Sequence, residues 1–362
     1  MSTMEIDFYS IHDPDGHKSA LRLKGDWLVV AITDGQFTGF GEASHSGDNS
    51  LCCDIMRCLF QLNIHGMVLS LERIHQLETS VFSSVDDFIT ATAISAINQA
   101  MYDLLAKKMG IPVWQLFTQD PMQKQVSYYT TINRALRDRT VKNYLEIVER
   151  ATDISIKRIK CAPFESVNQQ MTTKEQSAAA TQGLAVLDAI RSANPELGIR
   201  VDFHNRFHLD AFLWILPQLE TLQLEWIEEP CLHASDFYQI RQLTEIPLAA
   251  GELFFGTHAF MQLIEGNLVD VIMPDVKHVG GFGPLVAVCH EAGKKGVRVS
   301  PHNPSGPVAC AATIHAAAVS KTVTSVETVF LSSGNLPLNP EGIENGFFEI
   351  PANPGWGFDF SF

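Results

Sequence analysis

The sequence predicts an α/β protein whose larger part is a (β/α)8-type TIM barrel, preceded by a smaller α+β module. Three observations predict this fold. The first 120 residues mix strand-like and helix-like segments, residues 125–328 contain eight short apolar runs, and helix-like or connecting segments follow those runs. A repeated unit of one strand and one helical segment, occurring eight times, is the period of such a barrel.

The N-terminal module, residues 1–120, has strand-like segments at 3–10, 19–24 and 27–33. An alanine-rich stretch at 88–110 has the composition of a helix. The tail, residues 336–362, contains FEIPANPGWGFDF and is too short and too rich in Pro and Gly to form a domain. We therefore expect a capping domain (1–120), a barrel (121–335) and a tail that packs back on the capping domain.

Eight apolar runs between residues 125 and 328 have the length of strands buried on both faces. They are QVSYYTT (125–131), ISIKRIK (154–160), LGIRVDF (197–203), LQLEWIEE (222–229), IPLAAGE (246–252), LVDVIMPD (268–275), GVRVSPH (296–302) and TVTSVET (322–328). An open doubly wound sheet is the alternative. It would normally carry a Gly-rich turn after its first strand, where this chain reads TTINRAL, so the barrel is favoured.

Composition and charge narrow the class of protein. Hydrophobic residues make up 46% and charged residues 19%, an ordinary globular mixture, and the net charge of −15 opposes binding to nucleic acid. No apolar run reaches the 18 residues of a membrane span, so we expect no membrane partner. Seven scattered cysteines without a C-x-x-C pair suggest neither disulfides nor a zinc site, which favours a reducing cytoplasm.

Ionisable residues stand at the carboxyl ends of seven successive predicted strands. They are Arg158, Lys160, Asp202, His204, Glu228, Glu252, Asp275, His302 and Glu327. Because these ends form the mouth of a barrel, polar residues there are candidates for catalysis. Any one of them could instead cap a helix or form an ordinary ion pair, but several buried carboxylates together would be costly without a function.

Three of these carboxylates, Asp202, Glu228 and Glu252, lie on adjacent predicted strands. Their charges require a cation among them, and hard oxygen ligands without thiolates select Mg²⁺ over zinc. A Mg²⁺ ion also explains how an acidic protein could hold an anionic substrate. The sequence thus predicts a magnesium site with these three ligands.

Nitrogen bases flank the predicted metal. Arg158 and Lys160 share a strand face by the period of two, so we expect the guanidinium to lower the pKa of Lys160 towards neutrality. Asp275 and His302 end adjacent strands, where a carboxylate would fix the imidazole tautomer. Asp202 and His204 also share a side by the same period.

These residues, in this order, resemble the enolase superfamily and specifically its mandelate racemase-like branch. The motifs that carry the resemblance span most of the chain: GFGEAS, RIKCAPF, VDFH, WIEEP, PLAAGE, MPDVKHVGG, VSPHNPSGP and PGWGF. Within that branch, VDFHNR together with SPHNPSGP looks most like the galactonate-type sugar-acid dehydratases.

The resemblance implies an enolase-like modified barrel, one Mg²⁺ per subunit, a small carboxylate (sugar acid) substrate and a homo-oligomer. It matches Lys160 to the base of a K-x-K pair, with Arg158 where lysine is commoner, and Asp275–His302 to an Asp–His pair. Glu327 matches an acid that binds the substrate carboxylate. Arg158 and His45 are further candidates for substrate binding, His45 within the loop 43–50, which together with 11–20 is expected to set specificity.

The favoured reaction is dehydration of a sugar acid. His302 or Lys160 would remove the proton α to the carboxylate, an enediolate would form, and His204 would protonate the departing β-hydroxyl to leave a 2-keto-3-deoxy sugar acid. One alternative is a racemase or epimerase that uses Lys160 and His302 as opposed bases. Another is a non-catalytic metal-binding barrel used in assembly.

Overall fold

The computed structural model describes residues 4–11, 27–83, 85–331, 333, 336–338, 346–358 and 360. The predicted strand at 19–24 and most of the loop 11–20 lie outside these residues. Within the described part of the chain, no helix is long and apolar enough to cross a membrane. All seven cysteines are free thiols.

The N-terminal module pairs an antiparallel sheet with three helices. Its strands, in the order β1-β2-β3, and its helices are β1 (Glu5–Ile11), β2 (Trp27–Thr33), β3 (Thr38–Glu42), α1 (Asn49–Asn63), α2 (Leu71–Thr79) and α3 (Phe88–Met109). The Asp87 side chain accepts from Thr90 N–H to cap α3, and Gly110 ends that helix in the left-handed region (φ 69°). A Cβ at Gly41 would overlap the Ala96 carbonyl, so glycine lets β3 lie directly against α3.

Eight parallel strands form the nearly closed barrel that the sequence predicts, and the predicted fold class is confirmed. They are β4 (Gln125–Thr131), β5 (Arg158–Cys161), β6 (Gly198–Asp202), β7 (Trp226–Glu228), β8 (Leu248–Ala250), β9 (Val271–Ile272), β10 (Arg298–Val299) and β11 (Ser325–Val329). Their order is β10-β9-β8-β7-β6-β5-β4-β11, and a parallel bridge between Val299 and Val323 joins the two ends. Each strand lies within or overlaps one predicted apolar run but is mostly shorter, because apolar loop residues continue the runs.

Helices follow the barrel strands and cover them. They are α4 (Val141–Asp153), α5 (Thr173–Ala193), α6 (Leu209–Glu220), α7 (Ala234–Arg241), α8 (His258–Gly266), α9 (Phe282–Lys294) and α10 (Pro307–Val319). A capping box between Thr172 and Glu175 starts α5, and its buried face includes Leu187 and Ile190. In contrast, α10 is buried on all sides, because every residue from Val308 to Val319 is buried.

The C-terminal tail contacts both parts of the molecule. Residues Phe347–Glu349 form β12, which pairs antiparallel with β4 and was not predicted. Further along, the Trp356 backbone N–H donates to Asp103 at 2.8 Å, and its indole Nε1 donates to the Phe40 carbonyl at 2.8 Å. Trp356 is fully buried, so the tail fills space between the module and the barrel. The domain boundaries at 120 and 335 stay a prediction.

Glu42, at the end of β3, connects the module to the barrel. Its carboxylate accepts from the backbone N–H groups of Gly306 at 2.8 Å and Ala309 at 3.0 Å, at the start of α10. A buried carboxylate is stabilised there because the first N–H groups of a helix lack partners and carry a positive dipole end. This contact places the 43–50 loop beside the mouth of the barrel.

His315 on α10 joins three segments. Its Nδ1 accepts from Trp114 N–H at 3.2 Å, and its Nε2 donates to the Trp356 carbonyl at 2.9 Å. The two bonds fix one neutral tautomer. Burial is the larger influence and lowers the pKa of His315 to about 4, outweighing the bond to Trp356, which raises it.

The depressed pKa of His315 predicts acid-sensitive stability. Between its ordinary pKa near 6.5 and the folded value of about 4, the unfolded chain binds the extra proton, so the free energy of unfolding falls as pH falls. The loss should reach roughly 3 kcal/mol by pH 4, at 1.36 kcal/mol per pKa unit. Urea titrations of the wild type and His315→Gln from pH 7 to 4 should show a smaller pH-dependent loss in the variant. An equal loss in both proteins would contradict the assignment.

Candidate active site and metal centre

Seven predicted residues meet in one buried space at the carboxyl ends of the strands. They are Lys160, Asp202, Glu228, Glu252, Asp275, His302 and Glu327, each less than a tenth exposed. Parallel strands bring these residues together because all their carboxyl ends open on the same side of the barrel.

Lys160 lies at the centre of four carboxylates. Its Nζ is 2.7 Å from Glu228 Oε1, 3.2 Å from Glu327 Oε1, 3.3 Å from Glu252 Oε2 and 3.6 Å from Asp202 Oδ2. Burial alone would lower the pKa of Lys160, but the four negative charges outweigh it and hold that pKa well above its usual value. Lys160 is therefore an ammonium ion in this arrangement.

Arg158 does not join this group, and the expectation that it lowers the pKa of Lys160 is wrong. Its Nε donates to Glu225 Oε1 at 3.0 Å, and Arg200 binds the other oxygen of Glu225 at 2.7 Å. Arg158 is the first residue of the four-residue strand β5, and Lys160 is the third. Lys160 therefore lies nearer the carboxyl end of the barrel, and Arg158 lies nearer the amino end. Strand alternation puts the two side chains on the same face of β5, but it does not give their depth in the barrel.

Asp202 and His204 form a tight pair after β6. Asp202 Oδ2 lies 3.0 Å from His204 Nε2, and Oδ1 accepts from the His204 backbone N–H at 2.9 Å. Burial would lower the pKa of His204, but the Asp202 charge outweighs burial and raises that pKa. For Asp202, burial would raise the pKa, but the charges of His204 and Lys160 outweigh burial and lower it. His204 has a left-handed backbone (φ 50°), which turns its ring towards the carboxylate.

Asp275 and His302 form the second pair. Asp275 Oδ2 lies 2.9 Å from His302 Nδ1, and His302 Nε2 is 3.4 Å from Glu252 Oε2. A neutral imidazole that donates from Nδ1 keeps its lone pair on Nε2. Nε2 is therefore the atom of His302 that can accept a proton within the site.

Glu327 and His45 border the same region. Glu327 Oε2 accepts from the Asn303 backbone N–H at 3.1 Å, one residue beyond His302. His45, in a left-handed conformation (φ 67°), has its Nε2 2.7 Å from Arg134 Nη2. Because arginine only donates, Nε2 is the acceptor and the proton of His45 lies on Nδ1. Among the described residues, that Nδ1 has no hydrogen-bond partner although it is buried.

Two ionisable residues of the site were missed. Lys277 and His278 follow Asp275 in the motif MPDVKHVGG, and both are buried. Lys277 Nζ donates to both oxygens of Asp275, at 2.9 and 2.8 Å. The spacing from Asp275 to Lys277 is the same i, i+2 interval that drew attention to His204, so the signal was present in the sequence.

The donor set fits a hard divalent cation. Four buried carboxylates face a single ammonium, which leaves excess negative charge in a space of low dielectric. Among the described residues, ligand atoms of Asp202, His204 and Glu252 lie within 4.8 Å of one another. Glu228, the third predicted ligand, is held by Lys160 and by Trp226 Nε1 at 3.0 Å. Oxygen-rich donors of this kind suit Mg²⁺.

Two family models match the chain, one in each of its two parts. The family model described as "Enolase C-terminal domain-like" matches residues 143–361. The model for the N-terminal domain of mandelate racemase and muconate lactonizing enzymes matches residues 20–118. The chain belongs to the enolase superfamily. Its place within the mandelate racemase-like branch, inferred from the motifs, is confirmed.

Two proteins similar to this chain are named as sugar-acid dehydratases. The chain is 31% identical over 279 residues to a D-gluconate dehydratase of Thermoproteus tenax, across 75% of this chain and 54% of the relative. It thus spans about half the length of that relative. It is 26% identical over 363 residues to a D-galactonate dehydratase of Ralstonia pickettii strain 12J, across 93% of this chain and 90% of the relative.

Solved structures of other superfamily members share the fold. A mandelate racemase/muconate lactonizing enzyme from Sulfitobacter sp. superposes with a TM-score of 0.83 at 19% identity, covering 100% of this chain and 93% of the other. One from Jannaschia sp. CCS1 gives 0.81 at 21% identity, covering 99% and 95%. Both superpositions extend over the N-terminal module as well as the barrel.

Excess negative charge predicts that Mg²⁺ stabilises the folded protein. At 100 times its dissociation constant, a ligand that binds only the folded state adds about 2.7 kcal/mol, which corresponds to several degrees in Tm. Glu252→Gln should weaken this Mg²⁺-dependent rise. Glu225→Gln is the matched control, because Glu225 pairs with Arg158 and Arg200 at the other end of the barrel. Thermal scans that show the same rise in both variants would contradict the site.

Proposed function

We propose that the chain is a Mg²⁺-dependent acid-sugar dehydratase, a lyase that removes water from a polyhydroxy carboxylate. The observation that carries the proposal is the presence of two imidazoles in one buried site, each paired with its own carboxylate. Elimination of water needs one group that accepts a proton and another that donates one. The names of the gluconate and galactonate dehydratase relatives support the same reaction.

His302 is the proposed base. Its Nδ1 is bonded to Asp275, which leaves Nε2 to accept the proton on the carbon next to the substrate carboxylate. Lys160 is the weaker candidate because its surrounding carboxylates keep it protonated. We assign Lys160 the electrostatic role of neutralising charge that develops on the substrate.

His204 is the proposed acid. The Asp202 charge raises the pKa of His204 and favours the protonated imidazolium, which can give a proton to a leaving hydroxyl. Its Nδ1 is buried and has no hydrogen-bond partner among the described residues, so this nitrogen is the one available to a substrate oxygen.

The reaction balances with these two groups. His302 takes the α-proton, and the C–H electron pair forms the carbon–carbon double bond of an enediolate. The β-carbon–oxygen bond then breaks, and the hydroxyl leaves as water with the proton from His204. As that bond breaks, the enediolate electrons form the double bond between the α- and β-carbons. The resulting enol takes up a proton at the β-carbon and loses the proton of its α-hydroxyl to give a 2-keto-3-deoxy sugar acid, so the net change is the loss of one water.

Asp202, Glu228 and Glu252 are the proposed ligands for one Mg²⁺ per subunit. When bound, the ion supplies a Lewis acid that stabilises negative charge on the substrate carboxylate. Glu327 accepts from Asn303 N–H through Oε2, and we assign its acid form the role of donating a hydrogen bond from the other oxygen to the substrate carboxylate. His204 lies close enough to Asp202 and Glu252 to be a ligand instead, a role that would exclude it as the acid.

His45 is proposed to bind a substrate hydroxyl through its Nδ1–H. Arg158 has no part in the proposal, since it lies at the other end of the barrel. We further propose that the protein is a homo-oligomer. We also propose that it is cytoplasmic, because seven free thiols suit a reducing compartment. The experiments below also test the alternative that the chain is a racemase or epimerase.

A screen of mono- and diacid sugars with Mg²⁺ in D₂O tests the reaction. We expect a keto acid, detected as its semicarbazone, from at least one acid sugar. A substrate that gains deuterium at the α-carbon with inverted configuration and forms no keto acid would identify a racemase or epimerase. The absence of both products across the library would leave the non-catalytic metal-binding barrel.

Substitution of the two histidines separates their roles. His302→Asn should abolish α-proton exchange and elimination together, since both need the base. His204→Asn should retain exchange and lower keto-acid formation by about 100-fold or more, the usual effect of a general acid. The exposed His290 provides a control, His290→Asn, which should leave both rates unchanged. If His204→Asn instead loses Mg²⁺-dependent stabilisation, His204 is a ligand.

A further inference from the structure

The Asp275 carboxylate accepts more hydrogen bonds from Lys277 than from His302. Lys277 gives Oδ1 its backbone N–H at 2.8 Å and its Nζ at 2.9 Å, and the same Nζ reaches Oδ2 at 2.8 Å. His302 contributes one bond, from Nδ1 to Oδ2 at 2.9 Å. Lys277 is fully buried, which is unusual for a lysine unless it has a specific partner.

The other neighbour of Asp275 cannot replace this cation. His278 Nε2 is 3.9 Å from Asp275 Oδ2, too far for a hydrogen bond. The His278 ring is instead bonded through Nδ1 to the Thr92 hydroxyl at 2.9 Å. That hydroxyl donates to the Phe88 carbonyl at 2.7 Å, so it accepts from His278. Lys277 is therefore the basic side chain that hydrogen-bonds to both oxygens of this carboxylate.

Lys277 also connects two strand ends. Its Nζ lies 3.4 Å from Asn303 Oδ1, and the Ser305 hydroxyl donates to the same oxygen at 3.1 Å. Asn303 follows His302 directly and donates its backbone N–H to Glu327. One ammonium thus bonds both the loop after β9 and the loop after β10, which carries His302.

We propose that Lys277 is a positioning residue that fixes the plane of the Asp275 carboxylate and thereby directs His302 Nε2 into the site. A carboxylate rotates easily about its last side-chain bond, since that torsion is broad. Contacts from Nζ to both oxygens remove this freedom. The three donors of the ammonium point to Asp275 twice and to Asn303, so Lys277 does not itself reach a substrate. The proposal rests on the proposed function only in naming His302 as the base.

Kinetics of Lys277→Met test the role in the reaction. We expect kcat for α-proton exchange to fall by about 100-fold, the effect of a displacement near 1 Å, with KM and Mg²⁺ affinity changed by less than about threefold. Lys107→Met is the matched control, because Lys107 forms a similar pair with Asp103 at 2.8 Å within α3. Parallel losses of kcat, KM and Mg²⁺ affinity would indicate general structural support and overturn the proposal.

Nuclear magnetic resonance provides a readout that needs no substrate. In protein labelled with ¹⁵N-histidine, the His302 Nδ1–H signal is assigned by its loss in His302→Asn. It should be protected in the wild type and in Lys107→Met, and exchange rapidly with water in Lys277→Met. A signal equally protected in Lys277→Met would overturn the proposal even if no acid sugar is turned over.

Lys277→Gln covers the case in which Lys277→Met does not fold, because an amide can still donate to one Asp275 oxygen. We expect Lys277→Gln to exchange the substrate α-proton more slowly than the wild type, and its His302 Nδ1–H to be less protected from exchange with water. A folded Lys277→Gln protein that matches the wild type in both readouts overturns the proposal. Absence of turnover in the wild type, with the Nδ1–H signal behaving as expected, would instead count against the dehydratase function alone.

Discussion

The convergence of four buried carboxylates on the ammonium of Lys160 is the constraint on which the site depends. Glu228, Glu252, Asp202 and Glu327 come from strands β6, β7 and β11 and from the loop after β8, and each lies within 4 Å of that nitrogen. One cation cannot neutralise four buried anions. The surplus favours anything that brings positive charge, whether a divalent ion, a protonated His204 or both.

The carboxylates that face the two histidines have different partners. His204 faces Asp202, whose charge also faces Lys160, and the Asp202 charge raises the pKa of His204. His302 faces Asp275, whose charge Lys277 already balances at 2.8 Å. The two imidazoles thus face carboxylates in different surroundings, and a difference in surroundings is what separates acid and base roles in an active site.

The order of the strands and the identity of the residues at their ends could be predicted from sequence, because apolar runs and polar run ends are local patterns. Contact between Asp202 and His204 was expected from strand alternation, yet β6 ends at Asp202 and the left-handed turn at His204 makes the contact. The pKa of Lys160 could not be predicted, since it depends on side chains from several other strands. Arg158 was misplaced for a related reason: alternation gives a face but no depth in the barrel.

Backbone strain lies where the sequence pattern gave no warning. His204, Asn205 and Glu229, close to the carboxylate cluster, all have left-handed backbones (φ 50°, 56° and 46°), and Asn205 N–H donates to the Glu229 carbonyl at 2.7 Å. Each costs about 1–2 kcal/mol for a residue other than glycine. A glycine at these positions would relieve the strain but would lose the side chain that the turn presents. The strained conformation at His204 brings its imidazole to 3.0 Å from Asp202, and strained residues of this kind are common at functional sites.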